Sequence, residues 1–325
     1  MLRFLARRAA GSALLALLAL CGGYLLVSAA LDPLARFRGL HPPVPDAAIA
    51  AALDATGTNP NTPGLARLAT WLWGLVHGSL GTSVRGEPVG AEIAARVGTS
   101  VQLLLLGTLL GVGLGVVIGV VGAVRQHRWF DRVTSQGAFI VLATPPVVVA
   151  VLGMLAATRF NQAVGRPVIR FTGQYTAGYE GWWDATLDRG SHLLLPTLTL
   201  TIVVAAFFSR YQRAAMADVL GSDLVRGARA TGRTYRSAVI RRGVRLALVP
   251  TSTYAVYTIG TVLAGATMIE LVFSWHGMGE YLLLAVSDGD INAAAGTIAL
   301  TAVVVLGLGL VADLLHAWLD PRVRL

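Results

Sequence analysis

The sequence contains no lysine; all 26 of its basic residues are arginine. A glycine-rich loop closed by Gly-Lys-Ser/Thr needs that lysine on the nucleotide phosphates, so the chain has no standard P-loop of its own. Cysteine is nearly as scarce. Cys21 stands alone inside an apolar run, which excludes an intrachain disulfide and a cysteine-rich metal site. Charged residues make up only 13% of the chain, about half the usual share for a globular protein. In their place, 55% of the 325 residues are hydrophobic and the mean hydropathy is +0.66. A soluble chain of this length needs more polar surface. Repeated apolar runs of about 20 residues predict an all-α polytopic membrane protein, since a spanning helix satisfies its own backbone polar groups in lipid.

The formal net charge is +9. The arginines fall mainly in short loops between apolar runs, a pattern that orients a chain in a membrane and makes nucleic acid an unneeded partner. Residues 1–31 are expected to form a first span behind Arg3, Arg7 and Arg8. Its apolar run exceeds the usual core of a signal peptide, and Ser28-Ala29-Ala30 is only a weak cleavage site. An uncleaved span with a cytoplasmic N-terminus follows. Residues 32–98 read as a long extracytoplasmic loop, broken by Pro33, Pro42, Pro43, Pro45, Pro60 and Pro63. Within it, Leu65, Leu68, Leu72 and Leu75 recur near helical spacing beside Trp71 and Trp73. This short amphipathic helix lies either in the outer membrane interface or against its own domain, and the two readings stand equally.

Further spans are expected at about 99–124, 133–158, 192–208, 247–273 and 292–315. They leave arginine-rich inner loops at 125–132 and 209–246, outer loops at 159–191 and 274–291, and a cytoplasmic tail at 318–325. Six spans place both termini in the cytoplasm. The last outer loop carries Glu280, Asp288 and Asp290 and no arginine, so charge and hydropathy agree. Gly107, Gly111, Gly115 and Gly119 repeat every four residues and form a smooth ridge for close helix packing. They lie mid-span, not in a strand-to-helix turn, so a nucleotide role is not expected. Pro145-Pro146 should kink the third span. Tyr175, Tyr179, Trp182 and Trp183 suit the membrane rim. Glu270, Asp313 and His316 fall near span ends, where they can reach water and anchor helices. No His/Glu cluster suggests a metal, and no serine or cysteine sits in a nucleophile motif.

The most informative stretch runs from Arg226 to Arg245, with seven arginines and no acidic residue. Asp218 or Ser222 can cap a helix that enters it. Residues 222–230 make about two helical turns, and Gly232 suits a C-terminal cap. A second helix, Thr234 to Arg242, then leads toward the next span at Pro250. Two short helices joined by glycine form a hairpin that can dock a cytoplasmic partner. Attraction to anionic lipid headgroups would explain the arginines equally well. The small residues Ala228, Ala230 and Gly232 favour docking, because close packing needs them and lipid attraction does not. The expected docking residues are Asp223, Arg226, Ala228, Arg229, Ala230 and Gly232.

This loop resembles the coupling motif of binding-protein-dependent ABC importer permeases, whose peptide branch often carries Arg-Thr-Ala-Arg-Ala-Lys-Gly. Here it stands as Arg226-Gly227-Ala228-Arg229-Ala230-Thr231-Gly232, with Gly227 and Thr231 as departures, and the family's Arg-His before the fifth span stands as Arg241-Arg242. Residues 75–83 resemble the family's segment before the second span. Residues 269–279 are similar to its Glu-x-x-Phe-x-x-Pro-Gly-x-Gly segment, with His276 in place of proline, and residues 320–324 resemble its C-terminal signature. Four motifs in the right order, spread over nearly the whole chain, point to the first permease subunit of dipeptide and oligopeptide importers, with nickel importers as close relatives.

The resemblance implies a type I ABC importer permease fold over residues 99–317. It implies a heterodimer with a second homologous permease, two ABC ATPase subunits or one fused ATPase, and an extracytoplasmic peptide-binding protein, all in a lipid membrane. ATP and Mg would bind to the ATPase partners, leaving this chain without a cofactor and without enzymatic activity. An ion-coupled secondary transporter is the alternative from another class. It needs charged or broken sites near mid-membrane in paired repeats, and only Pro145-Pro146 fits loosely. An intramembrane hydrolase lacks a candidate catalytic pair.

Overall fold

The apolar runs fold as helices throughout. The computed structural model describes residues 2–38, 41–176, 178, 181–265 and 267–319, with side chains described over 10–38, 41–176, 178, 181–260, 267–312 and 314. Tyr179, the tail from Asp320, and the side chains of Asp313 and His316 lie outside the described residues. The helices are α1 (Leu2–Ala30), α2 (Asp46–Ala55), α3 (Gly64–Val76), α4 (Val89–Val124), α5 (Trp129–Ala143), α6 (Pro146–Val164) and α7 (Trp182–Leu220). They continue with α8 (Asp223–Ala230), α9 (Tyr235–Ala238), α10 (Arg245–Gly265), α11 (Thr267–Val272), α12 (Met278–Ser287) and α13 (Ile291–Leu319). Among the described residues the one β-type pairing is an isolated bridge between Thr82 and Pro88. Among the described residues, five helices are long and apolar enough to cross a bilayer: α1, α4, α6, α7 and α13.

Three expected boundaries change. The third span is not kinked at Pro145-Pro146 but broken there. Thr144 and Pro145 are extended, with ψ of 127° and 138°, and a fresh helix starts at Pro146. A residue before proline is pushed out of the α region, and proline is well suited to the first position of a helix. The apolar helix of this region is therefore α6, not residues 133–158. The fourth span extends beyond 192–208 at both ends. Its 39 residues make about 58 Å of helix at 1.5 Å per residue. The hydrocarbon core is about 30 Å thick, so this helix must project from it. Finally, about half of the segment 32–98 is helical, through α2, α3 and the start of α4.

The helices divide into two units. The first comprises Met1–Val101, Leu263–Glu270 and His276–Leu310. Its core gathers Tyr24 and Val27 of α1, Leu68 and Trp71 of α3, Ile93 of α4, and Tyr281 of α12 with the alanines of α13. Trp71 sets its ring 5.1 Å from that of Tyr24, and its indole Nε1 donates to the Leu80 carbonyl at 3.2 Å. Helix α3 thus packs on its own unit, while Leu65, Trp73 and Val76 stay exposed along its other edge. The loop before α4 is tied to the start of α13. Asn292 Nδ2 donates to the carbonyls of Thr56 (2.7 Å) and Thr82 (3.0 Å), and Asp290 accepts from the amides of Val84 (2.7 Å) and Ala293 (3.0 Å). Gly81 makes this approach possible. Its φ is +88°, and a Cβ there would lie 2.9 Å from the Asn292 side chain.

Glu270 corrects another expectation. It does not reach water at a span end: it is 1% exposed. Its carboxylate accepts from Ser100 Oγ (2.5 Å) and from the amides of Gly279 (2.8 Å) and Glu280 (3.3 Å). Ser100 Oγ in turn accepts from the Met278 amide at 2.7 Å. These amides are the orphan donors of the first turn of α12, whose N-cap residue Gly277 has no side chain to offer. Ser100 on α4 and Glu270 on α11 therefore cap α12 together.

The second unit comprises Gln102–Val262, Leu271–Trp275 and Val311–Leu325. Its axis is the contact of α4 with α7. Cβ atoms added at Gly107, Gly111, Gly115 and Gly119 would fall 2.6–2.7 Å from atoms of Leu200, Val204, Phe208 and Ser209 in turn. The four glycines thus let the two backbones approach closely. Thr201 Oγ1 donates across the contact to the Gly107 carbonyl at 3.3 Å. Further along α7, Phe207, Tyr211 and Tyr254 of α10 stack with centroids 5.3–6.2 Å apart.

Candidate functional site

The basic stretch folds as a hairpin at the end of α7. Helix α8 covers eight residues, with Asp223 in its first turn and Arg229 in its last. Both charges have the sign that the helix dipole favours at their end. Ser222 occupies the N-cap position with an extended backbone, but its hydroxyl donates back to the Val219 carbonyl at 2.6 Å and caps nothing. The C-terminal end is built more tightly. Gly232 has φ +86°, its amide donates to the Arg229 carbonyl (3.0 Å), and the Arg233 amide donates to the Ala228 carbonyl (3.3 Å). This paired closure is a Schellman motif, and it requires the left-handed residue that glycine supplies.

The second helix is shorter than expected. Thr234 Oγ1 accepts from the Ser237 amide at 3.4 Å, and α9 ends at Ala238. A π-helical turn, Val239–Val244, then leads directly into α10. The hairpin is therefore continuous with α7 on one side and α10 on the other.

Two side chains seat α8. Val225 is 2% exposed and packs with Met216 and Val219 of α7, Ala238, Val239 and Ala247. Ala228, part-buried, packs against the same cluster. Gly243 leaves room for it, since a Cβ there would touch Met216 at 3.2 Å and Val225 at 3.7 Å. All seven arginines of the stretch are exposed, as are Asp223, Leu224, Gly227 and Ala230. Asp223 pairs with Arg226, and the Arg229 guanidinium lies 5.8 Å from the Tyr235 ring centroid. Of the six residues singled out in the sequence, Asp223, Arg226, Arg229 and Ala230 share the free surface. Ala228 turns toward the seat, and Gly232 shapes the turn.

Three contributors escape a reading of the sequence. Val225 is signalled only as one of two large apolar residues, with Leu224, that share a helix face with Ala228. Asp131 and Arg213 form the others. Arg213 on α7 donates through Nε to Asp131 Oδ1 (2.5 Å) and through Nη2 to Oδ2 (2.8 Å). This two-point pair ties the start of α5 to α7 one turn before the seat of α8. The Arg213 hydrogen bond, outweighing burial and helped by the His127 amide, holds the Asp131 pKa down at about 2. The clue was an acid alone in an arginine-rich loop.

Comparison with known proteins places this geometry in context. A family model described as "Binding-protein-dependent transport system inner membrane component" matches residues 111–325. The chain is 44% identical over 325 residues to the oligopeptide transport system permease protein OppB of Mycobacterium tuberculosis (strain ATCC 25618 / H37Rv), covering 100% of this chain and 99% of the relative. It is 30% identical over 272 residues to the dipeptide transport system permease protein DppB of Escherichia coli (strain K12), covering 78% and 79%. A solved inward-facing structure of the MetNI methionine ABC transporter superposes with a TM-score of 0.53 at 17% identity, covering 70% of this chain and 96% of that one.

Proposed function

Because the chain belongs to the binding-protein-dependent transport system inner membrane components, multi-pass permeases of ABC transporters, we propose that it forms one half of the channel of an ATP-driven peptide importer. The full-length similarity to an oligopeptide permease supports peptide as the cargo. In this reading the chain has six spans with both termini in the cytoplasm, and residues 99–317 form the transport domain. A second, homologous permease completes the channel. ATP and Mg bind to ATPase subunits on the cytoplasmic side, and an extracytoplasmic binding protein delivers the peptide.

The observation that carries the reading is the seat of α8. An exposed, arginine-bearing helix is held by Val225 and Ala228 against α7 and the turn leading into α10. A push on α8 therefore moves two long helices instead of being absorbed in a loop. ATP binding favours the closed ATPase dimer, and α8 passes that preference to the spans as a shift from inward-open to outward-open states. Arg229→Glu reverses the charge of the free surface. Gly232→Val places a β-branched residue at φ +86° and opens the Schellman turn. Both variants are expected to insert normally and to lose uptake of a radiolabelled tripeptide by the reconstituted assembly. Uptake at the parent rate in both would refute the coupling role.

A further inference from the structure

A polar cavity of about 340 Å³ opens in the first unit, between the turn before α4, the first turns of α4, and α12 with the turn that follows it. Four carboxylates line it, from Glu87, Glu92, Asp288 and Asp290, against two guanidinium groups, from Arg85 and Arg96. Acid is in excess. Arg85 Nη2 pairs with Asp288 at 2.8 Å, and Arg96 pairs with Glu92. Asp290 is committed to the amides of Val84 and Ala293. Glu87 stands exposed beside Glu92, whose carboxyl raises the Glu87 pKa above the usual carboxylate value. Glu87 and Glu92 crowd like charge together, an arrangement that a further cation would relieve.

Tyr281 supplies an independent sign. It lines the cavity, is 8% exposed, and carries the Arg96 guanidinium 4.8 Å from its ring centroid. Its buried hydroxyl has no hydrogen-bond partner among the described residues. A buried hydroxyl left unpaired is destabilising, so one on a residue that lines a polar space calls for a ligand. Among the described residues the acids do not converge in a group able to hold a metal ion. A primary ammonium suits them better: it has three donors and no acceptor, and Glu87 and the Tyr281 oxygen offer two acceptors to it.

We propose that this cavity binds the N-terminal ammonium of a short peptide, with Glu87 as counter-charge and the Tyr281 hydroxyl as a second acceptor. The ammonium site follows from the cavity itself; the choice of a peptide as its bearer rests on the importer reading. The test titrates the chain, assembled with its partner permease in nanodiscs, with tri-alanine, N-acetyl-tri-alanine and butylammonium by calorimetry at pH 7. Tri-alanine should bind, and acetylation should weaken it by about tenfold or more, the loss of roughly one charge-assisted hydrogen bond. Butylammonium should bind more weakly than tri-alanine. Glu87→Gln and Tyr281→Phe should each weaken tri-alanine severalfold without lowering the melting temperature.

Equal affinity for the acetylated peptide, or unchanged affinity in both variants, overturns the site. Butylammonium binding as tightly as tri-alanine overturns the peptide as its bearer. Variants that weaken binding-protein docking but not tri-alanine binding assign the cavity to a basic side chain of that protein and overturn the proposal. Uptake by the complete assembly, measured in parallel, separates the two readings. Peptide uptake with no variant-sensitive binding removes the site alone, and variant-sensitive binding with no uptake removes the importer reading alone.

Discussion

Replacing Gly119 by alanine tests how closely α4 must approach α7. The new Cβ would lie 2.6 Å from the Ser209 carbonyl oxygen, 2.8 Å from Gln212 Cβ and 2.9 Å from the Arg213 amide nitrogen. Carbon atoms rest at about 3.5–4.0 Å from their neighbours, and two of these three neighbours are backbone, which cannot swing aside. The helices must part by several tenths of an ångström along their seam, and overpacking of this kind costs about 1–3 kcal/mol. Alanine is a better helix former than glycine by about 1 kcal/mol, which offsets part of that loss. Gly113 on the same helix is the control, because nothing lies within 4 Å of a Cβ built there. Gly113→Ala keeps the propensity gain without the clash. The two variants should therefore differ by about 2 kcal/mol, with Gly119→Ala melting several degrees lower and Gly113→Ala at or above the parent. Thermal unfolding of the detergent-purified protein reads this directly. Equal melting temperatures, or the reverse order, would refute the argument that the glycine seam fixes the helix spacing.

Other outcomes follow from the same geometry. Val225→Ala removes two buried methyl groups from the seat of α8, a loss of about 1–3 kcal/mol; hydrogen exchange in residues 223–230 should quicken, and uptake should fall further than ATP hydrolysis by the assembly. The Asp131 pKa is about 2 against an ordinary 3.8, which corresponds to about 2 kcal/mol of stability. Its folded value lies below its unfolded one, so this contribution is complete above about pH 4 and is lost as pH falls through about 2. Asp131→Asn should lower the melting temperature at pH 7 and remove that part of the acid dependence, and melting curves for parent and variant that stay parallel from pH 6 to pH 2 would contradict it. Glu270→Ala strands the amides of Gly279 and Glu280 in a buried site, at about 1–3 kcal/mol each. Glu270→Gln retains an acceptor, so the glutamine variant should melt well above the alanine one.

The helices of this chain were legible wherever local chemistry decides. Ser222 to Ala230 reads as a helix because glycine stands where a left-handed residue must close it; the helix runs from Asp223 to Ala230, and Gly232 closes it. Pro145-Pro146 signalled a disturbance, but its degree depended on Thr144 also leaving the helical region, which breaks the helix instead of bending it. What stayed hidden depends on partners far apart in the chain. Asn292 looks like the start of an ordinary span, yet it holds carbonyls 210 and 236 residues away. The apparent loop of residues 32–98 is ordered by such ties, and no periodicity within it announces them. Glu270 looked like an interface anchor because its partner Ser100, 170 residues earlier, could not be guessed from either neighbourhood. The same holds for Arg213 and Asp131, which are 82 positions apart.

The central claim is that α8 grips an ATPase in the cytoplasm, and one crosslinking measurement addresses it most directly. Cys21 is the only native cysteine, so Arg229→Cys in a Cys21→Ser background gives a single reactive thiol on the exposed face of α8. The account predicts that this thiol is shielded from a membrane-impermeant maleimide added outside the cell. With a short thiol-to-amine reagent, it should form an adduct with the ATPase subunit of the purified assembly. Labelling from outside, or an assembly that hydrolyses ATP yet never yields that adduct, would contradict it.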